Sequence, residues 1–536
     1  MKVLLVMPYS TVYPVGIAYI SSALKQAGHD VDCMVFTSHD ALAKRVWNGC
    51  DFVAAGGLSS EYAKLNHIFG IARQAGAKTI AGGGIITSEP ELMSRALQID
   101  YGVVGEGEET IVELLACLER GAAVSEVRGL CYRHGDDYTV TGDRKQLENL
   151  DVTAWPDYAA FGFERHLSAL KPTDQYHYDL FDHPREYPLV GSRSCPFLCT
   201  FCYHPSGNKY RQRSVDSIMA ELEERIPRYR INIVSIYDEL FSHDRERLHE
   251  FCRRFKAFTD TLDWEVKWNC QMRVDGVSEE LLGIMRDARC HMVSYGFESY
   301  SPTVLKSMKK YIRPEQIHAA IHATLNANIS IQANFIFGDV VETMDTARET
   351  LDFWKEHPEA GIQMCTILVC PDSEIYRHCL RVGLIKDRLH FIKYSLFKCY
   401  NLTRMPNRQF NRLRSLIQLY MVRYSVYTTP LEIGANHVTV ECPHCREHVT
   451  YSNYRITGKR FKQKMYCRSC RRRFYAVPAA YRFFASVAPL VVLSYKMHNL
   501  VLNVKDAIIN RVKSYPVIWH LYHKRRRRGS GDTSFS

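Results

Sequence analysis

Over its first 120 residues the chain alternates short apolar runs with helix-length segments, and few architectures accept that pattern. The runs are KVLLVM (2–7), VDCMVF (31–36), DFVAA (51–55), KTIAG (78–82) and YGVV (101–104), separated by stretches such as VGIAYISSALKQAG. Strands of this length, interleaved with helices, build βαβ units on a parallel sheet. Glycines follow the strand ends: Gly56 and Gly57, then Gly82, Gly83 and Gly84, then Gly105, Glu106 and Gly107. An open α/β sheet binds ligands beyond its carboxyl strand ends, where glycine lets backbone come close to phosphate or ribose. Each group alone reads as a tight βα turn. Three along one edge predict a nucleotide-like ligand, held by Gly82, Gly83, Gly84, Gly105, Glu106 and Gly107.

A second α/β series begins at PLVGS (188–192) and continues through NIVSIY, WEVKWNC, HMVSYGF, ISIQANFIF and IQMCTILV. Six βα repeats fall short of an eight-fold barrel and predict an open, partial one, with catalytic groups at the C-terminal strand ends. Asp238 and Glu239 follow its second strand and Glu298 its fourth, although helix caps also favour carboxylates at such places. Residues 121–185 lack periodicity and read as a connector wrapping the two halves. The expected division is 1–135 for the first sheet, 136–185 for the connector, 186–384 for the partial barrel and 385–430 for a basic helical linker. A small cysteine-bearing module (431–480) and a basic, partly apolar helical tail (481–536) complete it.

A length of 536 residues suits two to four domains. Eighteen cysteines without an export signal point to a reducing, cytoplasmic setting in which clustered thiols mean metal or redox chemistry. Charge is unevenly spread. Residues 431–536 hold 20 Lys/Arg against 5 Asp/Glu, and the rest holds 49 against 53. Any anionic partner, nucleic acid or membrane surface, therefore belongs to the last module. The apolar run from Phe483 to Tyr495, beside HKRRRR (523–528), is too short to span a bilayer but suits a peripheral contact.

Two cysteine patterns carry the chemistry. SRSCPFLCTFCYHP (192–205) places Cys195, Cys199 and Cys202 on the loop after the first barrel strand. A cubane iron–sulfur cluster has four irons, so three thiolates leave one iron to another ligand. The competing reading is a zinc site completed by His204. Cys442, Cys445, Cys467 and Cys470 form two C-x2-C knuckles 21 residues apart, the spacing of a closed zinc site, with an iron–sulfur cluster or single iron as the rival. Between them YSNYRITGKRFKQKMY reads as a β-hairpin.

The loop C-x3-C-x2-C followed by the aromatic Tyr203 resembles the signature of the radical S-adenosylmethionine (SAM) superfamily. WNCQMRVDGVSEELLGIMRDARCHMVSYGFESYSPTVLKSMKK (268–310), FIFGDVVET (335–343) and CPDSEIY (370–376) resemble later landmarks of that family. The first 120 residues are similar to the cobalamin-binding domain that precedes the barrel in one large branch. The resemblance implies a [4Fe–4S] cluster whose fourth iron takes SAM through its amino and carboxylate groups. It implies Glu298 against the ribose or amino group, Asp238 and Glu239 near the amino group or substrate, and Arg273 on the methionine carboxylate. It further implies cobalamin, an electron donor such as flavodoxin or ferredoxin, and a small-molecule or carrier-bound substrate. The expected activity is methylation of an unactivated carbon. A radical cyclase or rearrangement enzyme is the alternative, and a binding or scaffold protein with a degenerate barrel is a third reading. Two departures stand out. The loop PYSTVYPVG contains no histidine to serve as the cobalt's lower ligand, and Arg289 stands where the family usually has glycine.

Overall fold

The residues of the first strand, β1 (Lys2–Pro8), divide between two cores. Val3, Leu5 and Met7 pack with Ala18, Leu24 and Leu114, while Leu4 and Val6 pack with Leu65, Ile68 and Phe69 on the other face. A strand buried on both sides needs helices on both sides, as in a doubly wound sheet. A computed structural model describes residues 1–8, 13, 15–172, 175–454 and 463–487. In it β1 lies between β2 (Asp30–Phe36) and β3 (Phe52–Gly56), followed by β4 (Lys78–Gly82) and β5 (Tyr101–Val103), all parallel. The sheet continues antiparallel through β6 (Leu130–His134) and β7 (Asp137–Val140). This hairpin falls where a connector without strands was expected. At the sheet edge β7 is exposed along most of its length, so its residues carry no clean alternation.

The partial barrel is a six-stranded parallel sheet. Its first strand, β8 (Glu186–Leu189), begins earlier than the sequence suggested. Ser192 belongs instead to a short antiparallel pair, β9 (Ser192–Arg193) with β10 (Arg211–Gln212), which frames the cysteine loop. Beyond β8 come β11 (Ile233–Ile236), β12 (Lys267–Met272), β13 (Cys290–Glu298), β14 (Ser330–Phe337) and β15 (Gln363–Thr366), paired in that order. The edges β8 and β15 stay unjoined, leaving the barrel open on one side. In the linker region the helix Asn407–Tyr424 packs Phe410, Leu413 and Ile417 into the barrel core.

The last described module contains two small sheets. One joins β17 (Glu432–Ile433), β18 (His437–Glu441) and β19 (His448–Ser452); the other joins β16 (Tyr427–Thr428), β21 (Arg473–Ala476) and β20 (Gln463–Tyr466). Among the described residues, the two ends of the segment expected to form a hairpin between the knuckles fall in different sheets. Each hairpin instead closes through a knuckle, β18–β19 around Cys442 and Cys445 and β20–β21 around Cys467 and Cys470. Two C-x2-C turns are tight enough to reverse the chain themselves. The helix Ala479–Ser486 follows, and most of the anticipated basic tail lies outside the described residues.

Candidate active site

The cysteine loop is pinned from both sides. Thr200 N–H donates to the Met308 carbonyl at 3.1 Å, and Ile375 N–H donates to the Thr200 carbonyl at 3.0 Å. Cys202 N–H closes a turn on the Cys199 carbonyl, and the Ser194 hydroxyl donates to the Ser206 carbonyl at the loop's base. A hydrogen bond from the Cys202 thiol, helped by the nearby Lys310 ammonium, draws the Cys199 thiol down to about 7, and the same contact raises Cys202. Burial raises the Cys195 thiol. Thiolate is the metal-binding form, so charge around Cys199 favours ligation.

Charged side chains ring this loop. Lys310 Nζ lies 3.0 Å from Glu298 Oε1, both nearly buried. Glu298 sits at a bulge between β13 and β14 with φ of +61°, a left-handed conformation that costs a non-glycine residue about 1–2 kcal/mol. A Cβ on Gly296 would fall 2.2 Å from Glu298 Oε1 and 2.6 Å from Lys310 Nζ, so glycine leaves the room this ion pair occupies. The Arg273 guanidinium stacks over the Phe197 ring at 3.6 Å and donates to Asp275 and to the Lys310 carbonyl.

The first sheet faces this end of the barrel. A largely apolar cavity of about 550 Å³ opens between them, lined by Gly56, Gly57, Gly82, Gly83, Gly84, Gly105, Glu106 and Gly107 on one side and by Ser192, Arg193, Ser194, Tyr237 and Glu239 on the other. That volume falls in the range of cofactor pockets. Gly83 has φ of +80°, and a Cβ there would meet Gly57 backbone at 2.9 Å. The seam is held electrostatically. Glu106 accepts from Arg193 at 3.0 Å and from Arg211 at 2.7 Å, and from the Leu147 N–H. Burial opposes its ionisation, but the Arg211 and Arg193 contacts prevail and hold the carboxyl below its usual range.

A sequence model described as the radical SAM superfamily matches residues 189–353, and one described as a B12 binding domain matches residues 1–115. The chain thus carries a radical SAM domain preceded by a B12-binding domain. An uncharacterized methyltransferase of Pyrococcus horikoshii is 27% identical over 405 residues, covering 72% of this chain and 84% of that one. The anaerobic magnesium-protoporphyrin IX monomethyl ester cyclase of Cereibacter sphaeroides is 27% identical over 362 residues, covering 65% of this chain and 57% of the cyclase. Among solved structures, the radical SAM methyltransferase TsrM of Kitasatospora setae, with tryptophan and a SAM analogue bound, superposes with a TM-score of 0.60. It is 17% identical and covers 71% of this chain and 76% of that one.

In this radical SAM site the residues fit the implied cofactors. Among the described residues, the three loop cysteines and His204 are not one of the groups whose ligand atoms converge within 4.8 Å. A single zinc ion would need such convergence, whereas a cubane spreads its cysteines over separate irons. His204 instead pairs through Nδ1 with Glu239 at 2.9 Å, which raises its pKa. The glycine-lined cavity receives the B12-domain edge as a cobalamin site requires. Residues 9–12 and 14, in the loop that lacks the family histidine, lie outside the described residues.

The other sequence-derived residues divide. Glu298 and Arg273 border the cysteine loop, and Glu239 lines the cavity. Asp238 does not reach it. One Asp238 oxygen accepts from Gly191 N–H and the other from the Ser192 hydroxyl, each at 2.7 Å, and burial raises its pKa. It props the start of the cysteine loop. Glu106 lines the cavity but spends its carboxylate on the domain seam. The Tyr203 hydroxyl likewise donates across the seam to the Gly84 carbonyl at 2.9 Å. Sequence reasoning missed Lys310, Arg193 and Arg211; in the sequence each is one basic residue among many.

At the opposite end, Cys442 Sγ lies 3.7 Å from Cys470 Sγ and Cys445 Sγ lies 3.7 Å from Cys467 Sγ, all four atoms mutually within 4.8 Å. Zinc–sulfur bonds of about 2.3 Å give tetrahedral edges of about 3.8 Å, so the site fits one tetrahedral ion and is too tight for a cubane. Backbone N–H groups of His444 and Cys470 point at Cys442 and Cys467 sulfurs. This four-cysteine module docks on the N-terminal ends of the barrel strands. Tyr466 N–H donates to Asp179 at 2.8 Å, the Ser330 hydroxyl to the Arg471 carbonyl at 3.0 Å, and Arg473 to the Gly361 carbonyl. Arg468 reaches the Asp179 carbonyl and Asp182.

Proposed function

We propose that this chain is a cobalamin-dependent radical SAM methyltransferase acting on an unactivated carbon of a small-molecule or carrier-bound substrate. One observation carries the reading: the B12-domain glycine edge and the mouth of the cysteine-bearing barrel line a single cavity. When bound, the cluster with SAM supplies a 5′-deoxyadenosyl radical and cobalamin supplies a methyl group. The protein's part is orientation and exclusion of water. Cys195, Cys199 and Cys202 would hold the cluster, with Lys310 and Arg273 supplying positive charge beside them. Glu298, fixed by Lys310, offers a carboxylate beside the cluster for the amino or ribose group of SAM. Gly82, Gly83, Gly84, Gly105 and Gly107 let cobalamin approach backbone, and the Glu106 clamp keeps the two halves at one spacing.

The methyltransferase similarity supports methyl transfer, and the cyclase similarity supports the same chemistry without it. Anaerobic incubation with reconstituted cluster, cobalamin, reductant, SAM and candidate substrates separates them by nucleoside products. Deoxyadenosine together with S-adenosylhomocysteine is the methyltransferase outcome. Deoxyadenosine with a cyclised product and no S-adenosylhomocysteine would overturn it.

A small electron donor such as flavodoxin or ferredoxin would serve the cluster. Arg468 and Arg473 of the module engage the barrel, so an anionic partner would meet its other basic residues, such as the exposed Arg446. Among the described residues no helix is long and apolar enough to cross a membrane.

A further inference from the structure

The two helices outside β14 bring three histidines together on the barrel surface, far in sequence from either cysteine site. His318 and His322 stand one turn apart on the helix Pro314–Asn326, and His357 caps the helix Met344–Glu356. Their ring nitrogens lie within 4.8 Å of one another. His318 Nε2 and His322 Nε2 are 3.1 Å apart. Two metal–nitrogen bonds of about 2.0–2.1 Å, opened to between a right angle and a tetrahedral one, span about 2.9–3.4 Å.

His357 is oriented independently. Its Nδ1 lies 3.0 Å from Glu359 Oε1 and its ring packs on Phe353, with centroids 4.4 Å apart. A carboxylate that accepts a hydrogen bond from Nδ1–H leaves the lone pair on Nε2 and raises its basicity, the usual outer support of a metal-bound histidine. A packing role explains such a cluster poorly, because His318 and His322 are exposed.

We propose that His318, His322 and His357, supported by Glu359, form a surface site for a borderline transition-metal ion of the zinc, nickel, cobalt or copper type, with water completing its coordination. Three imidazoles exclude magnesium and calcium as the natural occupants, since those ions take oxygen ligands. The site ties the helix before β14 to the helix before β15. It also lies close to the ribbon, because Gly361 at the same turn receives Arg473.

The test is equilibrium dialysis of cluster-loaded, zinc-replete full-length protein against Zn2+ under anaerobic conditions, with metal counted by mass spectrometry. One further equivalent of zinc is expected beyond that held by the four cysteines. It is expected to vanish in His318→Ala/His322→Ala while the brown cluster absorbance and melting temperature without added zinc are retained. Glu359→Gln is expected to weaken binding by about 10–100-fold. Absence of the extra equivalent in the parent protein, or its persistence in the double variant, would overturn the proposal.

Discussion

The two ends of the barrel use cysteine in opposite ways. At the C-terminal ends of the strands, three cysteines sit on a long loop among strained and charged residues, beside a cavity. At the N-terminal ends, four cysteines close on one another within 4.8 Å, and the surrounding polar groups are matched to barrel backbone. The open end holds costly features: Glu298 in a left-handed conformation, and Lys310 and Glu298 paired out of solvent. Such features persist where surrounding structure over-determines them, and they cluster at functional sites. Thiol number and spacing thus separate a reacting centre from a fastening.

The sharpest way to break this contrast is to exchange the losses. Cys199→Ser should abolish the brown cluster and all deoxyadenosine formation while leaving the ribbon zinc in place, read by anaerobic absorbance and metal analysis. Cys467→Ser should do the reverse. It should release zinc and expose residues 425–476 to proteolysis, with a local cost of up to about 10 kcal/mol, while the isolated protein still binds its cluster.

A smaller effect tests the seam. Glu106→Gln leaves the buried Arg211 without its carboxylate, a loss of about 3–5 kcal/mol, measured by denaturant unfolding. The pH dependence follows from the lowered Glu106 pKa. The contribution is full above the unfolded value of about 4.5 and is lost as pH falls through the lower folded value. The parent should lose stability more steeply than the variant in that acid range. Equal slopes would show that the seam does not depend on this charge.

The smallest expected effect lies at the closed end. Arg289 has φ of +71° just after the helix Glu279–Asp287, which accounts for the glycine that the family usually carries there. Its ion pair with Asp260 is exposed, at 2.7 Å. Arg289→Gly should therefore stabilise by up to about 1 kcal/mol, seen as a rise in melting temperature, with deoxyadenosine yield unchanged.

Much of this arrangement was legible because local patterns encode it. Apolar runs bounded by glycine mark both parallel sheets, and C-x3-C-x2-C marks the loop without reference to anything distant. What stayed hidden is what forms only across long separations. Glu106 meets Arg211 over 105 residues, so neither carboxylate nor guanidinium announces a clamp. Asp238 looked available because burial and a serine hydroxyl cannot be read from YDELF. The ribbon pairing was misjudged for a different reason: a metal knuckle can serve as the hairpin turn, and residue propensity between knuckles does not say so.

The ribbon's attachment points have a mechanical consequence. Asp179 and Asp182 precede β8, Gly361 precedes β15, and these are the two strands left unjoined at the barrel's open side. A single four-cysteine clip therefore spans the gap at its base, like the spring of a clothes-peg. The two edge strands thus share one anchor at their N-terminal ends, on the far side of the barrel from the cysteine loop.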